Sequence, residues 1–366
     1  MPIKISCNAY IQKGVGGGPR AALRFNTGQF CANTGVSKAS HPIIESAQKH
    51  EKAMARSFER LIEVVRGKIK LKDLEEACRN QDGGAVMSLI DIEERMQAVA
   101  SGSNMSPNAR TLKEEFERAF SAGTDIGLKM LDKLPLSREI GKGIGAAMAF
   151  DLLSPEAIAF IRTHLFDLIT DVSRETRLAI QQVVLKAFQE GGHPYDQART
   201  IRAMIGLTQR QALAVDNYRR SLMSGQYQEA LRRSLRDGRY DATLRRMIKD
   251  NASLTKAQID KMVERYRERY IKYRAETIAR TETLRASNAG LQETWRQAQE
   301  QGLLGPNMKQ KWIITPDERL CDLCEETKVL NAAGVPIGGD FQTPNGPVKR
   351  PPLHVSCRCS IGLVYS

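Results

Sequence analysis

A chain of 366 residues with 41% hydrophobic residues has apolar material for two or three domains with real cores. Its mean hydropathy of −0.40 and 6% aromatics fit a well-solvated helical protein, and no apolar run approaches the roughly 18 residues that a membrane span needs. The formal charge of +13 points to a polyanionic or acidic partner. The start, Met1-Pro2-Ile3-Lys4-Ile5-Ser6-Cys7, lacks the apolar core of a secretory signal, so the expectation is a protein made in the cytoplasm, with no membrane partner.

In chain order, residues 1–38 are expected to form a flexible N-terminal arm. Gly14-Val15-Gly16-Gly17-Gly18-Pro19 is a breaker cluster, and Pro19-Arg20 does not supply the Lys-Ser/Thr pair of a phosphate-cradling loop. An α-helical N-terminal domain is expected over 39–140. It opens with Ser40 as an N-cap and places Ala53, Phe58, Leu61, Ile62 and Val65 on one face. Further apolar-periodic stretches cover 71–79, 84–100 and 110–134, broken at Gly83-Gly84 and Ser101-Gly102-Ser103-Asn104; Cys78 reads as a core thiol. Gly141-Lys142-Gly143-Ile144-Gly145 reads as a hinge or a close-packing site.

Residues 141–304 read as a basic helical region with long helices. Ser154-Pro155-Glu156 combines an N-cap, proline at the first helical position and an acid in the first turn. Ile158, Ile161, Leu165, Leu168, Val172, Ile180, Val183, Val184 and Ala187 then repeat at helical spacing up to Gly191-Gly192. Such a helix of about 36 residues spans on the order of 54 Å, a length suited to a strut. His164 and His193 read as solvent or packing residues. Leu207-Thr208-Gln209-Arg210-Gln211 and Leu254-Thr255-Lys256-Ala257-Gln258 each contain a capping box preceded by a leucine staple. They are either two helices that start alike or a duplicated helical hairpin. A final long helix is expected over about 256–301, stopping at Gly302.

Between 201 and 280 there are 19 Lys/Arg against 9 Asp/Glu, so most of the charge imbalance lies there. Arg219, Arg220, Arg232, Arg233, Arg236, Arg245 and Arg246 are the candidate nucleic-acid contacts, through sequence-independent phosphate binding that releases counterions. A solvated basic surface, or one facing an acidic protein, is the alternative. No base-reading element accompanies them.

After residue 305 the composition changes. Trp312-Ile313-Ile314 reads as a short strand leading into Cys321-Asp322-Leu323-Cys324, and Pro351-Pro352-Leu353-His354-Val355-Ser356-Cys357-Arg358-Cys359 follows a Gly/Pro-rich stretch. Val329-Leu330 and Phe341 are expected in small strands, and Cys357, Cys359 and Ile361 on one strand face. Two thiols three apart can grip one ion from a tight turn while a distant pair completes a tetrahedron. Cys321, Cys324, His354, Cys357 and Cys359 are therefore the candidate metal ligands for one structural zinc, with His354 and Cys359 both open as the fourth. A thiolate-rich closed shell leaves no position for a catalytic water. The fold class expected is mainly α, with elongated helical domains followed by a small zinc-stabilised β-containing module over 305–366, whose core is too small to stand without a staple. No complete catalytic constellation can be assembled from named residues, and Thr315-Pro316-Asp317-Glu318 reads as a capped turn.

The string from Lys311 through Thr315-Pro316-Asp317-Glu318-Arg319-Leu320 to Cys324, with the PPxHxxCRC ending, resembles the C-terminal domain of the phage Mu F-like minor head proteins. Ile278-Ala279-Arg280-Thr281-Glu282 with Arg285, Asn288 and Gly290 resembles the helical motif that precedes it in that family. The resemblance is tight over about 270–366 and looser from about 150. It implies a minor capsid or head-morphogenesis protein in the interior of a virion head, present in several copies. Such a protein acts beside the portal in assembly and in DNA packaging or ejection. The partners implied are the portal, capsid or scaffold proteins, and packaged double-stranded DNA. The competing expectation is a zinc-finger nuclease or toxin acting on nucleic acid, which would need a general base and an open metal site.

Overall fold

A computed structural model describes residues 41–102, 109–134, 148–151, 154–317 and 319–365. The N-terminal arm, the Ser40 cap and the glycines at 141–145 lie outside the described residues. The helices are α1 Pro42–Lys68, α2 Leu71–Arg79, α3 Gly83–Ile90, α4 Ile92–Ala100, α5 Leu112–Leu131, α6 Pro155–Glu190, α7 Pro194–Ala203, α8 Gln209–Met223, α9 Tyr227–Leu231, α10 Asp241–Lys249, α11 Lys256–Glu300 and α12 Asp322–Leu330. The strands are β1 Met308–Ile313, β2 Val335–Pro336 and β3 Ser360–Tyr365.

Helix boundaries follow local chemistry. Ser154 Oγ accepts from the Ala157 backbone N–H at 3.2 Å, which starts α6, and Gly191 and Gly192, both at positive φ, end it. Both capping boxes form: Thr208 with Gln211 at the start of α8, and Thr255 with Gln258 at the start of α11. The two helices then differ in length, 15 residues against 45. The apolar-periodic stretch over 84–100 forms two helices. Asp82 caps the first through the Ala85 N–H at 2.8 Å, which makes Gly83-Gly84 a helix start, and Asp91 at φ 35° separates α3 from α4.

The chain folds into two compact units that interleave along the sequence instead of following it, because α1, α6 and α11 each contribute residues to both. The first unit holds Ile62–Val99 and Asp167–Arg274. In it α2 packs on α7, and Ile62, Leu74, Ile90, Ile169, Ile180, Ile201 and Leu207 are buried. Tyr218 and Tyr266, which occupy like places after the two capping boxes, pack with ring centroids 4.4 Å apart.

The second unit takes Val36–Leu61, Ala100–Phe166 and Ala275–Ser366. Its sheet has the order β2-β1-β3 and is antiparallel throughout, with Trp312 opposite Ile361. Leu284, Leu291 and Trp295 of α11 share one apolar cluster with Trp312, Phe341, Leu353 and Ile361, and also with Ile43 of α1 and Leu131 of α5. The segment after 305 therefore has no core apart from the helices on which it lies. Two expectations fail here. Val329 and Leu330 close α12 with exposed side chains, since the helix starting at Cys321 carries through them. Phe341 makes only a single bridge to Val348.

Candidate metal centre

The first half of the centre sits at a helix start. Cys321 is the N-cap of α12 and Cys324 lies in its first turn, so the expected tight turn is the N-terminal turn of a helix, where unpaired N–H groups favour negative charge. The second half comes from the chain leading into β3. Cys357 and Cys359 precede that strand, which begins at Ser360, so they are not strand residues. Their side chains nonetheless both point inward, each 2% exposed, while Arg358 between them is half-buried.

All five candidate ligands converge. Cys321, Cys324 and His354 form one group whose ligand atoms lie within 4.8 Å of one another, and Cys324, Cys357 and Cys359 form a second that shares Cys324. His354 Nε2 lies 3.0 Å from Cys321 Sγ and 3.3 Å from Cys324 Sγ. Cys324 Sγ lies 3.7 Å from Cys357 Sγ, close to the roughly 3.8 Å between two thiolates on one tetrahedral zinc with 2.3 Å bonds. His354 Nδ1 is 2.9 Å from the Val355 carbonyl. Because a carbonyl can only accept, this contact fixes the proton on Nδ1 and leaves the Nε2 lone pair facing the sulfurs, as in ligating histidines generally.

The buried thiols titrate together. Hydrogen bonds from Cys324 and then Cys359 hold Cys357 well below the usual thiol range. The Cys357 contact, followed by Cys359 and burial, pushes Cys324 up. At Cys359 a lowering contact from Cys324 is outweighed by Cys357 and burial, and it too is raised. Three thiols so close hold one negative charge comfortably; a divalent cation lets the others ionise as well. The donor set, sulfur-rich with one imidazole, suits zinc among the common divalent metals.

Residues of α11 hold the ligand-bearing turn. Thr281 Oγ1 accepts the Ser356 N–H at 3.0 Å and donates to the Thr277 carbonyl; Ser356 sits at φ 59°, between His354 and Cys357. Asn288 Oδ1 accepts from Ser360 Oγ at 3.0 Å, and its Nδ2 donates to the Cys359 carbonyl at 3.4 Å. Gln292 bonds both Gln310 of β1 and the Lys349 carbonyl. Glu282 is bound by His164 at 2.5 Å and by Arg285 at 3.2 Å. Burial alone would raise its pKa, but Arg285 and His164 outweigh that and hold it at about 2. His164 is thus a packed histidine, in ring contact with both Phe116 and Phe160. Glu318 of the turn expected over 315–318 lies outside the described residues; Asp317 accepts the Arg319 N–H at 2.9 Å and grips both terminal nitrogens of Arg358. Desolvation works against that carboxylate, yet Arg358 and the Arg319 N–H keep its pKa low. The resemblance suggests that Arg280, Thr281 and Glu282 help fix the fold of this domain or its contacts, without naming the turn; Asn288 carries no signal beyond its place in the 278–290 motif, and Gln292 none.

With this geometry in view, the comparison with known families is informative. Residues 215–362 match the model of the family described as Phage Mu protein F like protein, a span that holds all five candidate ligands and the supporting helix residues. Over those residues the chain is similar to the phage Mu F-like head morphogenesis proteins. The match begins at 215, later than the start near 150 expected from the resemblance, and no curated protein and no solved structure matches. Similarity to a phage head family implies association with other capsid components and a place in the virion. No helix among the described residues is long and apolar enough to cross a membrane.

The candidate nucleic-acid residues lie in the first unit and differ in what they touch. Arg219 is paired with Asp260 at 2.7 Å, Arg220 with Glu190 at 2.6 Å and Asp216 at 3.1 Å, and Arg236 with Asp241 at 2.8 Å. Arg245 reaches Asp241 only at 3.8 Å and is two-thirds exposed. Arg232 and Arg246 are exposed and Arg233 is half-buried. Two arginines of the same stretch are core residues: Arg267 bonds the Ala203 carbonyl, and Arg274 the Gly206 carbonyl and Glu175.

Proposed function

We propose that this Mu F-like protein is a non-enzymatic minor component of the phage head, acting at the portal in head assembly and in DNA packaging or ejection. One structural zinc ion, held by Cys321, Cys324, His354 and Cys357, ties the start of α12 to the chain entering β3. Arg232, Arg245 and Arg246, with Arg233, contact packaged double-stranded DNA through its phosphates.

The observation that carries this reading is the convergence of the ligands on a turn that α11 itself holds through Thr281 and Asn288. A bound zinc supplies a cross-link among segments whose own strands are short, and four protein ligands leave no place for a water nucleophile. Cys359 then serves as a buried neighbour whose carbonyl Asn288 holds. Asp317 is engaged by Arg358 and is not free to act as a base or as a ligand for a hard cation.

Elemental analysis of protein purified without chelators should find about one zinc per chain, and the protein should co-purify with proheads and bind the portal protein without DNA. Absence of zinc overturns the metal reading; absence of both associations overturns the assembly reading. Metal-dependent DNA cleavage by pure protein that vanishes in His354→Ala with the fold retained would replace both with a nuclease.

A further inference from the structure

The first unit contains an arginine-lined cavity of about 230 Å³, bordered by α7, α8 and α11 and by Arg66 of α1. Five guanidinium groups line it, those of Arg66, Arg199, Arg202, Arg219 and Arg267, against the carboxylates of Asp260 and Glu264. Each carboxylate is shared. Asp260 is 2.7 Å from Arg219 and 3.2 Å from Arg199, and Glu264 is 3.0 Å from Arg66 and 3.3 Å from Arg267. Glu63 adds only contacts of 3.5 Å to Arg267 and 3.6 Å to Arg66, and is itself more than half exposed. Positive charge is thus in excess around an interior space.

Arg267 is 1% exposed, and its Nη2 makes no hydrogen bond among the described residues, only the 3.5 Å ion-pair contact with the half-exposed Glu63; Nε of Arg66 makes none either. A buried, charge-bearing N–H without an acceptor is costly. Arg202 adds a guanidinium whose contact is a long one, 3.5 Å to the Ile69 carbonyl. Forked guanidinium donors converging on a small space match the geometry of a tetrahedral oxyanion, which accepts several such bonds at once.

We infer that this cavity is a binding site for a small phosphate-type oxyanion. The inference stands apart from the zinc and from the exposed arginines proposed to meet DNA: the ligand is a single phosphate group enclosed within one unit. The group can arrive free in solution or as the terminal phosphate of a nucleic-acid strand.

The test is calorimetric titration of the full-length protein with inorganic phosphate at constant ionic strength in chloride. Saturable binding is expected, and Arg202→Gln should weaken it at least tenfold, the loss of one charge-assisted hydrogen bond. Its thermal midpoint in chloride should stay unchanged. Arg199→Gln, at the more exposed edge, is the second variant should the first fold poorly. In the unmodified protein, phosphate should also protect Arg199 and Arg202 from an arginine-directed reagent, read by mass spectrometry. A 5′-phosphorylated dinucleotide that binds where inorganic phosphate does not would assign the strand end as the source; inorganic phosphate binding by itself assigns the free anion. Linear, non-saturating uptake of both probes overturns the proposal. So does equal affinity in the wild type and in both variants, or modification of both arginines unaffected by either probe.

Discussion

At Thr281 a single hydroxyl joins α11 to the turn between His354 and Cys357. Thr281→Val keeps the shape and removes the acceptor, leaving the Ser356 N–H without its partner. A loss of about 1–2 kcal/mol in unfolding free energy is expected. Metal affinity should fall by about 10–100-fold, as for other supports of a ligand shell; competition against a chromophoric chelator reads it. Arg280→Ala, one residue away, removes only a 3.6 Å contact with Glu51 and should change both quantities little. His354→Ala should release zinc while Cys359→Ser retains it, and the reverse result would make Cys359 the fourth ligand. Glu282 gives a pH signature. Its carboxyl is held at about 2 against an ordinary 4.5, so its contribution is complete above pH 4.5 and is lost as pH falls toward 2. The size is on the order of 3 kcal/mol. The gap in urea midpoint between the wild type and Glu282→Gln should therefore narrow across that window; a constant gap would mean that Glu282 is not held ionised by Arg285 and His164.

Among the elements of the second unit, α5 and α11 meet at backbone distance. A Cβ built on Gly123 would fall 2.0 Å from the Ser287 carbonyl oxygen, and one on Gly290 2.0 Å from that of Phe120. Ser287 Oγ donates to the Ala119 carbonyl at 3.0 Å across the same contact. Backbone atoms on both sides leave no flexible side chain to move aside, so Gly123→Ala and Gly290→Ala should each cost upward of about 3 kcal/mol, beyond ordinary overpacking. Gly67 is a helical glycine with nothing within 4 Å of its would-be Cβ, and Gly67→Ala should be neutral or stabilising by up to about 1 kcal/mol. Thermal melts of the three variants check the contrast. Because α11 also carries Thr281 and Asn288, the two interfacial glycine variants should lose zinc affinity as well, although they lie outside the ligand set.

For the molecule as a whole, the apolar cluster of the second unit runs without a break from Ile43 and Leu131 through Trp295 to Trp312, Cys324 and Cys357. Chelation should accordingly loosen that entire cluster and lower the melting temperature of the unit, with Trp312 fluorescence shifting red. An unchanged helical melt beside complete unfolding of 305–366 would contradict that coupling. The exposed basic surface is read by salt. Each phosphate contact on duplex DNA contributes a log-log slope of about −0.9. Replacing Arg232, Arg233, Arg245 and Arg246 with alanine should make the slope shallower by up to about four, while Arg219→Ala and Arg220→Ala, paired with Asp260 and Glu190, should act mainly through stability. An unchanged slope in the fourfold variant would assign those arginines to protein or solvent.

Local sequence by itself determined the helix starts at Ser154, Thr208 and Thr255, the stop at Gly191-Gly192, and the five metal-ligand candidates. Caps, helix-breaking glycines and CxxC spacing act over a few residues and leave a readable mark. Only the tertiary structure decided what joins those pieces. The sequence pattern does not reveal that α12 starts at the first cysteine, nor that Cys357 and Cys359 precede the strand. A half-buried arginine reads like an exposed one, so Arg219 paired to Asp260 and Arg246 in solvent were indistinguishable by charge. The partners of Thr281 and Asn288 were not legible because the groups they hold lie some 70 residues away, at Ser356 and Ser360. Contacts between residues so far apart depend on the packing of α11 against the final strand, and no short-range periodicity encodes that packing.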